Sequence, residues 1–281
     1  MKLFSKLGSL GLIAALCLIA CHQPQSNQSV PQPSSTAPPS AFQHKPLGEL
    51  LSAYVNQDGW VDYVGLQKDR AKLDAYLTAV ANATPNGFPN DAERLAFWIN
   101  AYNAFTLADV LDDVYGKHKS VKEIEKAFFD TKKHAVAGEP LTLNQIEQKG
   151  RDLKDPRIHF AVNCASASCP KLQRYAYYGG ELELQLSNAA REFLADAGRG
   201  LNYYPDKNVV YLSPIFKWYA ADFTKANSVV ARIKAEASGD ELLEAAKQYL
   251  PPEVASYFTE KKPKVDYLAY DWSLNAKETQ P

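Results

Sequence analysis

An excess of charge of either sign is missing from this chain: its 281 residues hold 31 basic and 32 acidic side chains. A general electrostatic nucleic-acid binder carries a basic excess or stripe, so that class is excluded. Four cysteines are too few to frame a disulfide scaffold. The uncharged run from Leu7 to Ala20 falls short of the roughly 20 apolar residues that a membrane span needs. Neither the polar bias of a disordered chain nor the repeat of a collagen is present. What is present is material for a core, at 46% hydrophobic and 11% aromatic residues. No internal repeat divides it.

Residues 1–20 read as an address and not as part of the fold. Lys2 and Lys6 lead into the uncharged run, which ends at Leu18-Ile19-Ala20-Cys21. A basic start, a short apolar core and small residues at the exit mark a secretory signal peptide. The last four residues resemble the lipobox of bacterial lipoproteins, which implies that Cys21 is lipidated and becomes the new N-terminus. His22 is not the aspartate that commonly holds such proteins at the inner membrane. The resemblance therefore implies a lipid anchor on the periplasmic face of the outer membrane. Loss of residues 1–20 removes two lysines and no acid, leaving 29 basic against 32 acidic residues. Residues 22–43 are rich in Pro, Ser and Gln and cannot offset their ordering entropy by burial. Cys21 and this tether make up residues 21–43, and 44–281 is expected to be one globular domain.

Within that domain, Leu47, Leu50, Leu51 and Tyr54 have helical spacing. Trp60–Val64 reads as a short strand after the Asn56–Gly59 turn, and Leu66–Ala81 as a helix. The longest predicted helix runs from Asp91, its N-cap, to Val114 before Gly116. Further helices are predicted over Val121–Phe129, Leu143–Glu147 and Leu182–Ala197, and a hairpin over Val136–Leu143. Arg157–Val162, Val209–Leu212 and Val265–Tyr270 read as strands, with helices between the last two. The expected fold class is α+β, a helix-rich single domain with a small sheet, in an arrangement of the papain or transglutaminase kind.

Chemistry concentrates in Arg157-Ile158-His159-Phe160-Ala161-Val162-Asn163-Cys164-Ala165-Ser166-Ala167-Ser168-Cys169-Pro170. A thiol becomes a nucleophile when a histidine takes its proton and a third group orients that histidine. On this reading Cys164 is the nucleophile and His159 the base, with Lys171 nearby to favour the thiolate. The same two cysteines, Cys164 and Cys169, can instead close a disulfide in an oxidising compartment. A zinc site of Cys, Cys and His is the third reading, but five-residue spacing is not the usual thiolate pattern. On a strand, His159 and Cys164 face opposite ways, so they meet only if the chain turns at Asn163. Asn100 and Asn103 share a helical face, either tying loops to the helix or, for Asn100, orienting the histidine. Glu147 is a second orienting candidate, though sequence alone favours an exposed helix charge. Asn103, Ser168 and Lys171 are further cleft candidates. His22, His44, His118 and His134 stand in charged or linker surroundings and read as solvated.

Several of these segments together resemble the family DUF547, a domain of unknown function. They are Asp58–Tyr63, Ala96–Ala104, Leu143 with Ile146-Glu147, Asp155–Ala161, Cys164–Pro170 and Tyr270–Asn275. Plant relatives keep a cysteine at the position of Cys164 but tend to have serine where Cys169 stands. That implies a thiol retained without its partner and puts Cys164 ahead of Cys169 as nucleophile. Many members follow the glutamate with histidine, and here Gln148 stands there. Glycine commonly follows the first cysteine; with Ala165 in its place, no positive φ is expected.

The residues together imply a lipid-anchored envelope protein acting as a cysteine-dependent hydrolase or acyl transferase on a peptide-like or envelope substrate. Cys164, His159 and Glu147 or Asn100 would carry the reaction, with backbone N–H groups after Cys164 as the oxyanion hole. The alternative is a non-catalytic envelope binding module stapled by Cys164 and Cys169. No cofactor, metal or nucleic acid is expected.

Overall fold

Two apolar clusters organise the chain in a computed structural model that describes residues 42–84, 87–224 and 237–280. Residues 1–20, expected to be a signal peptide, lie outside the described residues, as do Cys21, His22 and the expected linker up to residue 41. Phe42, at the linker's end, already packs on Phe97, with ring centroids 5.1 Å apart.

The first cluster is helical. Helices α1 (Lys45–Tyr54), α2 (Tyr63–Lys68) and α3 (Arg70–Ala81) pack beside α4 (Asp91–Asp109). Where one helix over 66–81 is predicted there are two, joined at Asp69, whose carboxylate accepts from Tyr54 Oη at 2.7 Å and Lys72 Nζ at 2.9 Å. The predicted Trp60–Val64 strand reduces to bridges from Val61 to Val55 and Ala276. Asp62 then caps α2 by accepting from Gly65 N. Helix α4 begins at Asp91 as expected, but its cap is Asn90 and not Asp91, since Asn90 accepts from the Glu93 N–H. Its middle, from Leu95 to Asp109, is buried on every side, and Val110–Val114 extend it as a π turn. The helix predicted over 121–129 is a 3₁₀ turn at Val121–Ile124 and a π turn at Ala127–Thr131.

A hairpin of β1 (His134–Val136) and β2 (Glu139–Leu141) turns at Ala137 and Gly138, both with positive φ (49° and 80°), as a two-residue primed turn requires. Helix α5 (Leu143–Arg151) follows, opened by a reciprocal capping box between Thr142 and Gln145. The predicted strand over Arg157–Val162 is a correction: Pro156–Phe160 form a 3₁₀ turn. Asp155 accepts from Arg157 N, and Pro156 supplies the fixed φ of a first helical position. A 3₁₀ turn at Gly179–Glu181 leads into α6 (Leu182–Ala195).

The second cluster lies on a three-stranded sheet in the order β3 (Leu201–Tyr204), β4 (Val209–Leu212), β5 (Lys264–Tyr267). Strands β3 and β4 are antiparallel, whereas β5 runs parallel to β4, pairing Val210 with Val265. A parallel pair needs a long crossover. It contains α7 (Pro214–Trp218), α8 (Ala220–Phe223), α9 (Gly239–Lys247) and α10 (Pro252–Lys261). Phe160, Phe193, Phe216 and Phe223 fill this cluster together with Leu242 and Phe258. The chain is thus α+β and helix-rich. No helix among the described residues is long and apolar enough to cross a membrane.

Candidate functional site

A cleft of about 530 Å³ opens where the two clusters meet. Tyr102, Phe129 and Val162 face it from the first cluster, and Ile215, Tyr219 and Tyr270 from the second. Glu147, His159, Cys164 and Cys169 also line it.

Glu147 reaches the cleft through the pattern of α5. Leu143, Ile146, Glu147 and Gly150 are its buried residues, at the spacing of one helical stripe. The glutamate stands where that stripe calls for an apolar residue, and it is buried, not exposed as expected. Burial pushes its carboxyl above the usual glutamate range, opposed by His159, Arg151 and a hydrogen bond from Tyr219.

His159 sits in the 3₁₀ turn, with its ring stacked on Tyr219 at 3.9 Å between centroids. Its Nε2 lies 2.8 Å from Asp222 Oδ2, which also accepts from Arg151 Nε at 2.6 Å. Burial alone would raise Asp222, but the hydrogen bonds from His159 and Arg151 prevail and hold it well below the usual carboxylate range. Asp222 is therefore ionised, and Nε2 carries the proton between them. On the other side, His159 Nδ1 is 3.9 Å from Glu147 Oε1, too far for a hydrogen bond. Asp222, Arg151 and Tyr219 are all absent from the sequence-based candidates. The orienting partner of His159 is Asp222, and Glu147 stands beside it.

Asn100 does not orient the histidine. Its Nδ2 donates to Tyr177 O at 2.7 Å and its Oδ1 accepts from Tyr177 N at 2.9 Å. Asn103 does the same one turn on, donating to Ala161 O (3.0 Å) and accepting from Asn163 N (2.8 Å). Both amides tie flanking chain to α4, and Asn103 fixes the turn that presents Cys164. Asn163 spans that loop, donating to Pro170 O and accepting from Ala165 N and Asn275 Nδ2.

Cys164 and Cys169 are joined as a disulfide with Cα atoms 6.3 Å apart, inside the range such a bond allows. Ser166 Oγ lies 3.1 Å from the Cys164 sulfur, and Tyr270 Oη lies 3.4 Å from both sulfurs. Burial pushes the Tyr270 phenol up to about 12. Among the described residues neither sulfur has a hydrogen bond to His159. Cys164 lies in a loop and not at a helix N-terminus. The N–H groups of Ala165, Ala167, Ser168 and Cys169 already donate to Asn163 Oδ1, Ser273 O, Asp271 O and Ser166 O. Those four groups are therefore not free to serve the oxyanion hole expected from this turn. Ala165 does adopt a positive φ, 62°, contrary to the expectation from its departure from glycine. Ser168 Oγ accepts from Asp271 N, and Lys171 is not part of the cleft wall.

Two histidines expected at the surface are buried. His44 Nδ1 lies 2.9 Å from Tyr76 Oη, and burial lowers it to about 3. His134 lies 3.0 Å from the buried Asp109. His118 instead pairs with Glu123 near the surface, and His22 lies outside the described residues.

At the mouth of the cleft, Trp218, Tyr270 and Trp272 form a continuous aromatic wall, with centroids 4.6 to 5.7 Å apart. Trp218 is half exposed. Lys122 lies over the Trp272 ring at 4.7 Å and pairs with Glu125 at 2.7 Å. Among the described residues no three His, Cys, Asp or Glu side chains converge as metal ligands.

No curated protein and no solved structure matches this chain. Residues 87–194 match the model of the family described as a protein of unknown function, DUF547, a segment that holds α4, Glu147, His159 and the Cys164–Cys169 loop and so supports the resemblance seen in the sequence.

Proposed function

We propose that this chain is a lipid-anchored cell-envelope protein whose DUF547-like domain binds a peptide-like or glycan ligand in the aromatic cleft. In this reading the Cys164–Cys169 bond is a staple in the cleft wall and not part of a reaction. The observation that carries it is the turn after Cys164. Acyl transfer needs donors aimed at the developing oxyanion, and four N–H groups there are committed to protein acceptors. The half-exposed Trp218, backed by Tyr270 and Trp272, supports recognition by ring contact. The Leu18-Ile19-Ala20-Cys21 sequence supports anchoring through Cys21, at about 0.8 kcal/mol per buried CH₂ of each acyl chain. With His22 following, the outer membrane's periplasmic face is the proposed location.

A second reading rests on one fact: Cys164, His159 and Glu147 line the same cleft. After reduction by an added thiol, the Cys164 thiol would pass its proton to His159 and add to a carbonyl carbon as thiolate, the C=O electrons moving to oxygen, in an arrangement of the papain kind. Thiol titration of the protein isolated from its envelope separates the two. The binding reading expects no free thiol until reductant is added. Two free thiols, one alkylated by iodoacetamide well below pH 8, would put the hydrolase first.

A further inference from the structure

Two buried polar atoms in the cleft have no hydrogen-bond partner among the described residues: His159 Nδ1 and Glu147 Oε1. Their side chains are 2% and 6% exposed, and both face the same cavity. At 3.9 Å they are too far apart to bond each other, yet near enough for one atom to bridge them. A buried polar atom left unpaired carries an uncompensated desolvation cost. A ligand that satisfied both would recover that cost twice.

The chemistry of the two atoms selects the ligand. His159 Nε2 is engaged with ionised Asp222 at 2.8 Å, which leaves Nδ1 as the ring's acceptor position. The Glu147 oxygen is an acceptor as well. One hydroxyl brings a single hydrogen and serves only one of them. A primary ammonium brings three. A trimethylated ammonium brings none.

The charges around the cleft agree. Its wall carries Glu125, Asp130 and Glu147 against a single lysine, Lys122. That lysine is already paired with Glu125 and lies over Trp272, so cation-on-ring contact is in use at the mouth. Burial pushes the Glu147 carboxyl up, and a cation beside it would favour the ionised form.

We propose that the cleft takes a primary ammonium group on an alkyl chain, its nitrogen between His159 Nδ1 and Glu147 Oε1 and its chain against Trp218 and Tyr270. The inference rests on the binding reading above. The same group ends a lysine side chain and an alkyl diamine, and the test distinguishes them.

The full chain, purified in detergent, is titrated by calorimetry and by tryptophan fluorescence. The probes are Nα-acetyl-lysine methylamide, its Nε-trimethyl form, 1,5-diaminopentane and chitotriose. The expected result is saturable binding of an unmethylated amine, with the trimethyl form at least about tenfold weaker, the value of one charge-assisted hydrogen bond. Glu147→Gln, which preserves shape, should lose a similar factor, and His159→Phe a comparable one. Tighter binding of the lysine derivative than of the diamine assigns a peptide source, and the reverse order a free diamine. Equal binding of the trimethyl form, or no loss in Glu147→Gln, would overturn the inference. Binding of chitotriose alone, abolished by Trp218→Ala, would also overturn it while leaving the binding cleft in place. Silence from every probe would overturn it too, and the thiol count would then decide the parent reading separately.

Discussion

Among the described residues two buried histidines each pair with an aspartate that also carries a base, and one of the two pairs lies at a cleft. In the first cluster His134 lies 3.0 Å from Asp109, which also meets Lys132 at 2.7 Å. At the junction of the clusters His159 lies 2.8 Å from Asp222, which also meets Arg151 at 2.6 Å. The pairings are alike; the surroundings differ. Asp109 is sealed, and His134 stacks near Phe105 with a centroid distance of 4.4 Å. Asp222 is a quarter exposed, and the far nitrogen of His159 faces a second carboxylate across the open cleft. A buried histidine beside an aspartate therefore does not by itself mark a site. An adjoining cavity and an unspent polar atom do.

Three substitutions test whether the two pairs differ in kind. Asp109→Asn should have the largest effect, destabilising by about 3 kcal/mol in urea unfolding, because it leaves a partly buried lysine without its sealed partner. Asp222→Asn, at a more exposed pair, should cost about 1–2 kcal/mol. Equal losses would mean that the two pairs are structurally the same. The smallest effect is expected from Glu147→Gln, within about 1 kcal/mol at neutral pH, since one of the lost carboxylate's oxygens has no partner.

The two carboxylates near His159 should also be separable by pH. Glu147 faces His159, Arg151, Tyr219, Tyr102 and Asp222, and its folded form holds a proton to higher pH than the unfolded chain does. Stability from this group is therefore full below the ordinary glutamate range and falls as pH rises from about 4 toward neutrality. Glu147→Gln should flatten that part of the curve. Asp222 has the opposite sign: its folded form is held low, so its contribution is lost as pH falls below about 4. Asp222→Asn should flatten the acid limb alone. A Glu147→Gln curve parallel to wild type throughout would overturn the burial account of that residue.

The staple offers a further check on the cleft side. Replacing Cys164 and Cys169 together by serine should cost about 2 kcal/mol, the loop-closure value for so short a ring.

How much of this was legible in the sequence depended on distance along the chain. Local signals carried α4, the hairpin and α5, where apolar spacing and turn residues act within a few positions. The 157–162 segment was misread because Ile158, Phe160 and Val162 alternate like a strand. Asp155-Pro156, a cap followed by a first-turn proline, was the competing signal and it prevailed. Glu147 could have been placed inside by its position in the Leu143, Ile146, Gly150 stripe. Asp222 could not have been found that way. It sits in an unremarked Ala-Ala-Asp-Phe turn 63 residues after His159, and only tertiary packing joins them. His44 and His134 differ from expectation for the same reason, since Tyr76 of α3 and Asp109 of α4 supply their partners from elements distant in sequence. At Ala165, the surrounding hydrogen bonds enforce a left-handed conformation that costs a non-glycine residue about 1–2 kcal/mol.

The closing segment has a consequence for how the protein comes into being. Residues 271–275 hold the cysteine loop through Ser168 N to Asp271 O, Ala167 N to Ser273 O and Asn275 N to Ala165 O, while Tyr63 donates to Asn275 from the far end of the domain. Trp218, Asp222, Tyr270 and Trp272 all lie beyond the stretch that matches the family model. During synthesis, then, a chain that has already emitted Glu147, His159 and both cysteines still has no cleft. A nonsense mutation in the last few dozen codons would preserve the stretch that matches the family model and remove Tyr270 and Trp272 from the cleft wall.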